Sequence, residues 1–301
     1  MRGYCRFKPL LLYIFLLSLS FYVFCSGFSG LKLFFGARTT GLGENLCGLS
    51  EEVENIYHNP AGLVGINPFE FKIMYSNWVA DINRSDLILA KSFKNKSVVA
   101  FSFNYMWTRL ESEYNSSDYF SLIHTIAYAR KLNKIYFGLG TTIVYESFSL
   151  EEGYNLAGGL DLGVLIRKQR AALGFSVKQI GKSFVYMGED SEILPFNLNC
   201  GVSYIMPNNF VVVGNIKYNL DGLISFHTGL EVPLYRGIKE EIAIRAGNVL
   251  KLPSLSDLPI ISNFRLGFGF RKEGLKIDYC LVPLGENIGF FHYISLGFIF
   301  Y

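Results

Sequence analysis

Apolar and polar residues alternate with a period of two along most of the chain from residue 69 onward. Within 99–107 the odd positions are Val, Phe, Phe, Tyr and Trp, whereas the even positions are Ala, Ser, Asn and Met. The same alternation recurs in 135–145, 264–271 and 275–281. Successive side chains of a β-strand point to opposite faces, so each stretch predicts a strand with one apolar face.

Fourteen segments carry this pattern and predict fourteen strands. Most have about 8–12 residues, close to the roughly 9–11 residues of a tilted strand that spans a bilayer. Segment 240–247 has the weakest pattern, because it is short and begins with two glutamates. The predicted strands are 69–79, 86–93, 97–107, 120–131, 135–146, 157–167, 171–180, 196–206, 210–219, 223–232, 240–247, 262–271, 275–282 and 291–301.

The connections tend to alternate between short and long. Short turns are expected near 94–96, 133–134, 169–170, 207–209 and 272–274, and longer polar loops at 108–119, 147–156, 181–195, 248–261 and 283–290. Asp221-Gly222 is a short turn where a long loop was due. Short turns on one rim and long loops on the other are typical of outer-membrane barrels, in which the short turns face the periplasm.

A soluble β-sandwich would also show alternation, with its apolar residues facing a core. Two features favour a barrel. The strand face opposite the large aromatic residues carries mostly Gly, Ser, Thr, Asn and charged residues. The strands are also long and numerous for one sandwich. A closed sheet also leaves no unpaired backbone edge in hydrocarbon. We therefore predict an all-β fold, a transmembrane antiparallel β-barrel of about 14 strands, over residues 69–301.

Residues 1–27 predict a cleaved secretory signal peptide. Arg2, Arg6 and Lys8 precede an uncharged stretch at 9–24, and small residues follow at 26–27. An uncleaved membrane anchor is one alternative. A lipoprotein modified at Cys25 is another, disfavoured because Phe24 stands where a small residue is needed. With the barrel, this leader predicts export to the bacterial cell outer membrane.

Composition narrows the function classes. Of 301 residues, 50% are hydrophobic, and this high apolar content excludes a disordered chain. Only 18% are charged, against roughly 25% in soluble domains. The net charge is +3 with no prominent basic block, so no nucleic-acid partner is expected. The spacing of Cys47, Cys200 and Cys280 fits no metal or haem site, so no cofactor or metal is expected, although a Cys200–Cys280 disulfide remains open.

Nothing in the sequence predicts an enzyme. The four histidines are scattered, and neither a zinc-protease helix motif nor a nucleophile-elbow motif is present. No catalytic residue is therefore assigned.

Residues 28–68 lie between the predicted signal peptide and the barrel, and residues 31–68 do not alternate. The run Ser50-Glu51-Glu52 predicts a short helix near 50–57, with Ser50 as its cap and the glutamates near its positive end. Asn59-Pro60 would end that helix, because proline disfavours helix in the preceding residue. A compact segment of this kind, between signal peptide and barrel, predicts a hatch that plugs the lumen.

Motifs at both ends of the chain resemble one family. Near the N-terminus, Gly36, Arg38, Gly41 and Gly43 are followed some fifteen residues later by Asn59-Pro60-Ala61-Gly62. This pattern resembles the hatch signature of FadL-like outer-membrane barrels, and its closest likeness is to the PorV/PorQ-like branch. The last hairpin resembles the same branch, and the final strand, ending in an aromatic residue, resembles the signal read by the outer-membrane assembly machinery. The hatch residues are Gly36, Arg38, Gly41, Gly43, Asn59, Pro60, Ala61 and Gly62, and the hairpin residues are Tyr279, Pro283, Gly285 and His292.

This resemblance implies a function and its partners. It implies uptake or passage of hydrophobic small molecules, such as long-chain fatty acids, through a barrel in the outer-membrane bilayer whose pocket the hatch blocks. The alternative is a PorV-like secretion or surface-assembly factor that binds exported protein cargo. Candidate anchors for a carboxylate head group are Arg38, Lys72, Arg109 and Lys217.

Overall fold

The structure is a computed structural model that describes residues 28–33, 36–44, 46–78, 81–111, 116–149, 153–187, 191–252, 260–285 and 289–300. The predicted signal peptide and the terminal Tyr301 lie outside the described residues.

Fourteen antiparallel strands close into one barrel, as the alternation predicted. The strands are β1 Phe69–Asn77, β2 Asn83–Ser92, β3 Ser97–Glu111, β4 Ser116–Leu132, β5 Ile135–Phe148, β6 Tyr154–Lys168, β7 Ala171–Val185, β8 Asn197–Ile205, β9 Val211–Asn219, β10 Ile224–Arg236, β11 Glu240–Leu252, β12 Phe264–Lys272, β13 Leu275–Gly285 and β14 Gly289–Phe300.

Each strand pairs with its neighbours in the chain, and the first strand pairs with the last. The closing register runs from Phe69 opposite Phe300 to Asn77 opposite His292. Closure gives every strand two partners, which confirms the barrel over the sandwich.

The alternation separates an apolar outer wall from a largely polar inner wall. In β5, Leu139 and Ile143 are exposed by 51% and 50%, whereas Thr142 and Val144 face inward and are buried. In β12, Leu266 is 57% exposed and its neighbour Arg265 is buried. The large apolar side chains therefore form the outer surface, and small or charged residues line the lumen.

At the long-loop rim, some strands continue beyond the stretch of alternating apolar residues that predicted them. β3 and β4 run to Glu111 and from Ser116, although the alternation ends near 107 and resumes near 120. Polar pairs such as Arg109 opposite Asp118 continue the ladder there. Backbone pairing needs no apolar face, so the predicted long loops are shorter than expected.

Residues 28–33, 36–44 and 46–66 lie inside the barrel and include several short helical turns. They comprise an α-helix, α1 at Ala37–Gly41, and 3-10 turns at Ser29–Lys32, Val53–Tyr57 and Pro60–Leu63. A fourth 3-10 turn, Ile260–Asn263, precedes β12. We call the segment up to residue 68 the hatch.

The predicted helix over 50–57 is wrong. The segment is a 3-10 turn whose N-cap, Glu52, makes no side-chain cap. Ser50 does not cap it either, because its hydroxyl accepts a hydrogen bond from Arg167 of the barrel, and Glu51 adopts a φ of +68°. The glutamates pair with barrel cations rather than with a helix dipole.

One apolar cluster fixes the lower part of the hatch. Val53, Ile56, Leu63 and Val64 are buried against inward-facing residues near the short turns, such as Leu165. Burial of side chains of this size stabilises a structure by about 1.5–3 kcal/mol each.

No helix in the described residues is long and apolar enough to cross a membrane. Cys47, Cys200 and Cys280 are free thiols, so the Cys200–Cys280 disulfide that the sequence left undecided is not formed.

Candidate functional site

Inward-facing glycines form the surface on which the hatch backbone rests. Three pairs of them stand directly opposite each other on neighbouring strands: Gly138 with Gly163, Gly174 with Gly201, and Gly229 with Gly247. We call these six residues the glycine belt.

The hatch approaches this belt so closely that no side chain would fit. A Cβ atom on Gly174 would collide with the carbonyl of Cys47, and one on Gly201 would lie 2.7 Å from the amide nitrogen of Gly48. The Ser203 hydroxyl donates a 2.7 Å hydrogen bond to the carbonyl of Gly48. Main chain therefore packs on main chain, which requires glycine on the wall.

The predicted Asn-Pro-Ala-Gly motif is part of this contact. The Asn59 side chain accepts a hydrogen bond from the Ala61 amide at 3.1 Å and donates to the Cys47 and Val164 carbonyls at 2.9 Å and 3.1 Å. Pro60 and Ala61 rest on Gly138 and Gly163. One amide group thus ties two hatch segments to the barrel.

The Gly-Ala-Arg motif begins α1. Gly36 has a φ of +93°, and a Cβ there would collide with the Glu54 carboxylate. The Gly43 position has a φ of +86°, and the carbonyl of this residue bonds the buried His227 ring at 2.6 Å. Gly36 and Gly43 therefore allow close packing and a left-handed backbone.

Two of the predicted anchors, Arg38 and Lys72, belong to a buried ring of ion pairs. Arg38 bonds Glu52 of the hatch at 2.6 Å and Glu231 of β10 through two nitrogens at 2.9 Å each. Lys72 of β1 lies 2.5 Å from Glu54 and 3.8 Å from Glu52. The ring comprises Arg38, Glu52, Glu54, Lys72, Glu231, Arg245 and Asp278, and we call it the ion-pair ring.

Barrel residues close the ring. Arg245 of β11 lies 2.5 Å from Glu231 and 2.8 Å from Asp278, and Asp278 in turn lies 3.1 Å from Lys72. Removing one partner of a buried ion pair leaves an uncompensated charge and typically costs about 3–5 kcal/mol. The ring therefore couples the position of the hatch to four strands.

Two hatch members of the ring, Glu52 and Arg38, are held in their charged forms. Burial alone would raise the pKa of Glu52, but the cations of Lys276, Lys72 and Arg38 outweigh it and lower this pKa from 4.5 to about 2. Burial works against the charged form of Arg38, yet Glu231 and Glu52 keep its pKa above the ordinary value. Both groups are ionised at neutral pH.

Lys217, the third predicted anchor, lies in a different place. It faces a small polar cavity of about 50 Å³ between the hatch and β4–β9, which Lys178, Lys32, His58 and other polar residues also line. Lys178 bonds Asp161 at 2.6 Å and Lys32 pairs with Asp221. Lys217 makes no hydrogen bond or ion pair with any other described residue.

An apolar cluster adjoins this cavity. Leu31 and Ile123 line the cavity and also pack with Phe28, Val144, Ala157 and Leu194. The polar side of the cavity carries Lys217 and the paired cations Lys178 and Lys32, together with Glu44, which is itself paired with Arg265. A lysine beside apolar side chains suits an amphiphile with an anionic head. Phe28 and Leu31 of the hatch occupy the apolar side.

The remaining predicted residues lie apart from the hatch. Arg109 stands on the long-loop rim, where its side chain is 63% exposed and pairs with Asp118 at 2.9 Å. Tyr279 and His292 face outward and bond to each other at 2.7 Å. Pro283 and Gly285 flank an irregularity in the β13–β14 register.

Sequence reasoning named Lys72 but assigned no site role to Glu231, Arg245 and Asp278 of the ion-pair ring, and it missed the glycine belt. Glu231, Arg245 and Asp278 occupy the inward parity of otherwise apolar strands, and that position was a usable signal. The glycines carried no such signal, since their role depends on strand register.

Comparison with known proteins bears on the fold. No family model and no curated protein matches the sequence. Among solved structures, a deltaS2S3 mutant of the monoaromatic hydrocarbon channel TodX superposes with a TM-score of 0.66 at 12% identity, over 89% of this chain and 99% of that one.

Two further structures give similar values. The Ralstonia pickettii toluene transporter TbuX has a TM-score of 0.61 at 11% identity, over 89% of this chain and 99% of that chain. A Pseudomonas aeruginosa FadL homologue has a TM-score of 0.59 at 10% identity, over 86% and 96%. At these identities the likeness is one of fold, and this chain has the FadL-type barrel fold.

Proposed function

We propose that the protein is an outer-membrane barrel for the uptake of hydrophobic small molecules with an anionic head group, such as long-chain fatty acids. The observation that carries this proposal is Lys217, a lysine without a partner among the described residues, at the boundary between a polar cavity and an apolar cluster. The apolar outer wall supports residence in a bilayer. The structural neighbours named above are channels and transporters.

The cavity has room for a few water molecules, not for an alkyl chain. An incoming tail would therefore replace Phe28 and Leu31 at the apolar cluster, while the head group meets Lys217. Of the four candidate anchors we propose Lys217. Arg38 and Lys72 are neutralised by hatch carboxylates, and Arg109 is exposed on the rim.

The first test compares a fluorescent fatty acid with the fatty alcohol of the same length in proteoliposomes. Wild-type protein is expected to speed entry of the acid well beyond empty liposomes and to prefer it to the alcohol. Lys217→Met should lower affinity for the acid by about 10- to 100-fold, since a hydrogen bond to a charged group contributes about 1.5–3 kcal/mol.

Arg109→Met is the matched control and should behave as wild type, because it removes a cation from the exposed rim. Equal uptake with and without protein would overturn the transport proposal. Uptake that persists with no difference between acid and alcohol would instead overturn the choice of Lys217.

A second candidate function follows from the tight fit of the hatch. A lumen filled by main-chain packing also suits a PorV-like surface-assembly factor, which would bind exported protein cargo without passing a solute. A stoichiometric exported protein that co-purifies with a chain inactive in fatty acid uptake would favour this alternative and the PorV/PorQ-like branch.

A further inference from the structure

Three short turns carry a dense set of cations that the fold brings together. The segments 91–96, 130–134 and 167–170 contain nine Lys or Arg residues and no Asp or Glu. They form the β2–β3, β4–β5 and β6–β7 connections, which follow one another around one rim. We call these residues the basic arc: Lys91, Lys94, Lys96, Arg130, Lys131, Lys134, Arg167, Lys168 and Arg170.

Most of these charges are not neutralised. Arg167 pairs with Glu51 of the hatch. Within the part of the chain that the structure describes, the other eight cations have no carboxylate partner. The opposite side of the same rim differs, because Lys239 pairs with Glu273 and Lys272 with Glu240. An arc of one sign attracts anions.

The outward-facing members of the arc point to a lipid surface. Lys91, Arg130 and Lys168 occupy outward parity at the ends of their strands, in line with apolar residues such as Tyr128 and Ile166, which are 43% exposed each. These cations therefore lie where an apolar wall meets water, which is the level of lipid phosphates. A periplasmic protein would meet chiefly the turn tips.

An outward-facing trough begins beside the arc. It has a volume of about 1140 Å³, and Lys168 lies at its end. Its floor is low because small residues, Gly214, Thr228 and Ala246, occupy outward positions there. Leu173, Val202, Gly214 and Thr228 stand side by side on neighbouring strands. In this row the larger side chains of Leu173 and Val202 flank the small residues of the floor.

We propose that this surface binds an anionic glycerophospholipid of the inner leaflet, with its phosphate at the basic arc and an acyl chain in the trough. The inference rests on the proposed residence in the outer membrane but not on transport. The arc and the mouth of the trough share the short-turn rim, which the barrel topology assigns to the periplasmic side. A lipid bound at this rim therefore belongs to the inner leaflet of the outer membrane.

The charge test uses the full-length purified protein and native mass spectrometry with added phosphatidylglycerol or phosphatidylethanolamine. Wild type should retain phosphatidylglycerol preferentially. The triple variant Lys91→Gln, Arg130→Gln, Lys168→Gln should lower this affinity more than tenfold, because it removes the three outward-facing cations that lie at the level of the lipid phosphates.

The control triple is Arg109→Gln, Lys182→Gln, Lys251→Gln. It removes the same number of cations from other parts of the barrel and should keep the preference. Equal retention of both lipids by wild type, or an unchanged preference in the arc triple, would overturn the proposal. So would loss of an acidic protein partner from the arc triple with its lipid preference intact.

The trough test uses Gly214→Leu. A Cβ there would meet only the Val202 side chain within 4 Å, at 3.6 Å, so the wall can accept the substitution. Retention of phosphatidylglycerol should fall severalfold, whereas Thr141→Leu, an outward position on β5, should leave it unchanged. Unchanged retention in Gly214→Leu would contradict the acyl-chain site.

The uptake assay separates this proposal from the proposed function. A protein that binds phosphatidylglycerol selectively but takes up no fatty acid would overturn transport alone. One that transports fatty acid without lipid preference would overturn the phospholipid site alone. Heat-dependent mobility of the folded barrel on gels confirms that each variant has folded.

Discussion

At the residue scale, charge on the hatch is balanced by charge on the inner wall. Glu44 lies 2.5 Å from Arg265, and Glu52 and Glu54 join the ion-pair ring. Burying a charge is costly unless it is paired and hydrogen-bonded. The position of the hatch is therefore sensitive to the protonation of a few carboxylates.

Acid should release the hatch. Because the pKa of Glu52 is lowered from 4.5 to about 2 in the folded hatch, its contribution to stability is complete above pH 4.5 and is lost as the pH falls through 2. Pepsin cleavage within residues 46–64 should thus remain slow at pH 4.5 and become rapid near pH 2.

Glu52→Gln provides the comparison for this acid test. It removes the titrating charge and leaves Arg38 and Lys72 short of a partner, at a cost of about 3–5 kcal/mol, so cleavage should already be rapid at pH 4.5. Wild-type protein that is cleaved equally fast at both pH values would show that Glu52 does not fix the hatch.

The sequence showed which residue types matter in the hatch but not what they contact. Gly36, Asn59 and Pro60 were recognisable as a motif, and each makes a specific packing contact. Arg38 and Lys72 were predicted as ligand anchors, and the structure places both beside carboxylates. Pairing across the lumen depends on register, which a single sequence does not specify.

At the element scale, the glycine belt lets the hatch lie against the wall. Gly201→Val should displace the hatch, because a Cβ at this position meets the Gly48 amide nitrogen at 2.7 Å and rigid main chain cannot yield. Faster hydrogen exchange in residues 46–64 with an intact barrel is the expected result.

Gly214→Val is the matched control for this substitution. Gly214 stands opposite Val202, the residue that follows Gly201, but it faces outward. A Cβ there would meet only the Val202 side chain within 4 Å, at an ordinary contact distance of 3.6 Å. Exchange in the hatch should match wild type. Equal exchange in both variants would show that the belt does not position the hatch.

Strand existence was predictable, but strand ends were less so. The alternation placed all fourteen strands, including the weak segment at 240–247, which begins β11. It underestimated β7, which continues to Val185 past an irregularity opposite Asp161. Polar residues extend a ladder without leaving an apolar signature, so hydrophobic periodicity cannot mark its end.

At the scale of the whole molecule, closure creates sites that no segment contains. The cations of the basic arc are scattered along the sequence and meet when β2–β7 come together on one rim. The ion-pair ring likewise joins residues as distant as Arg38 and Asp278. The all-β barrel was predictable from local pattern, whereas these assemblies depend on its three-dimensional closure.

The central claim of the proposed uptake function is that the hatch moves as a unit, so that displacing Phe28 and Leu31 for a ligand also requires the segment at Cys47 to leave the wall. The Cys47 sulfur lies 3.7 Å from the Ser176 hydroxyl oxygen on β7, so Ser176→Cys offers a disulfide between hatch and wall. Joining two thiols in a disulfide releases two electrons, so an added oxidant such as diamide accepts them. Burial raises the pKa of the Cys47 thiol to about 12, so little thiolate is present and oxidation should be slow. A Cys200→Ala background removes a nearby competing thiol.

The most direct measurement is fatty acid uptake by proteoliposomes that contain this variant, before and after oxidation, with crosslinking verified by peptide mass. Oxidation should reduce uptake to the rate of empty liposomes, a reductant should restore it, and a Ser176→Ala control should not respond. Undiminished uptake by fully crosslinked protein would contradict the account.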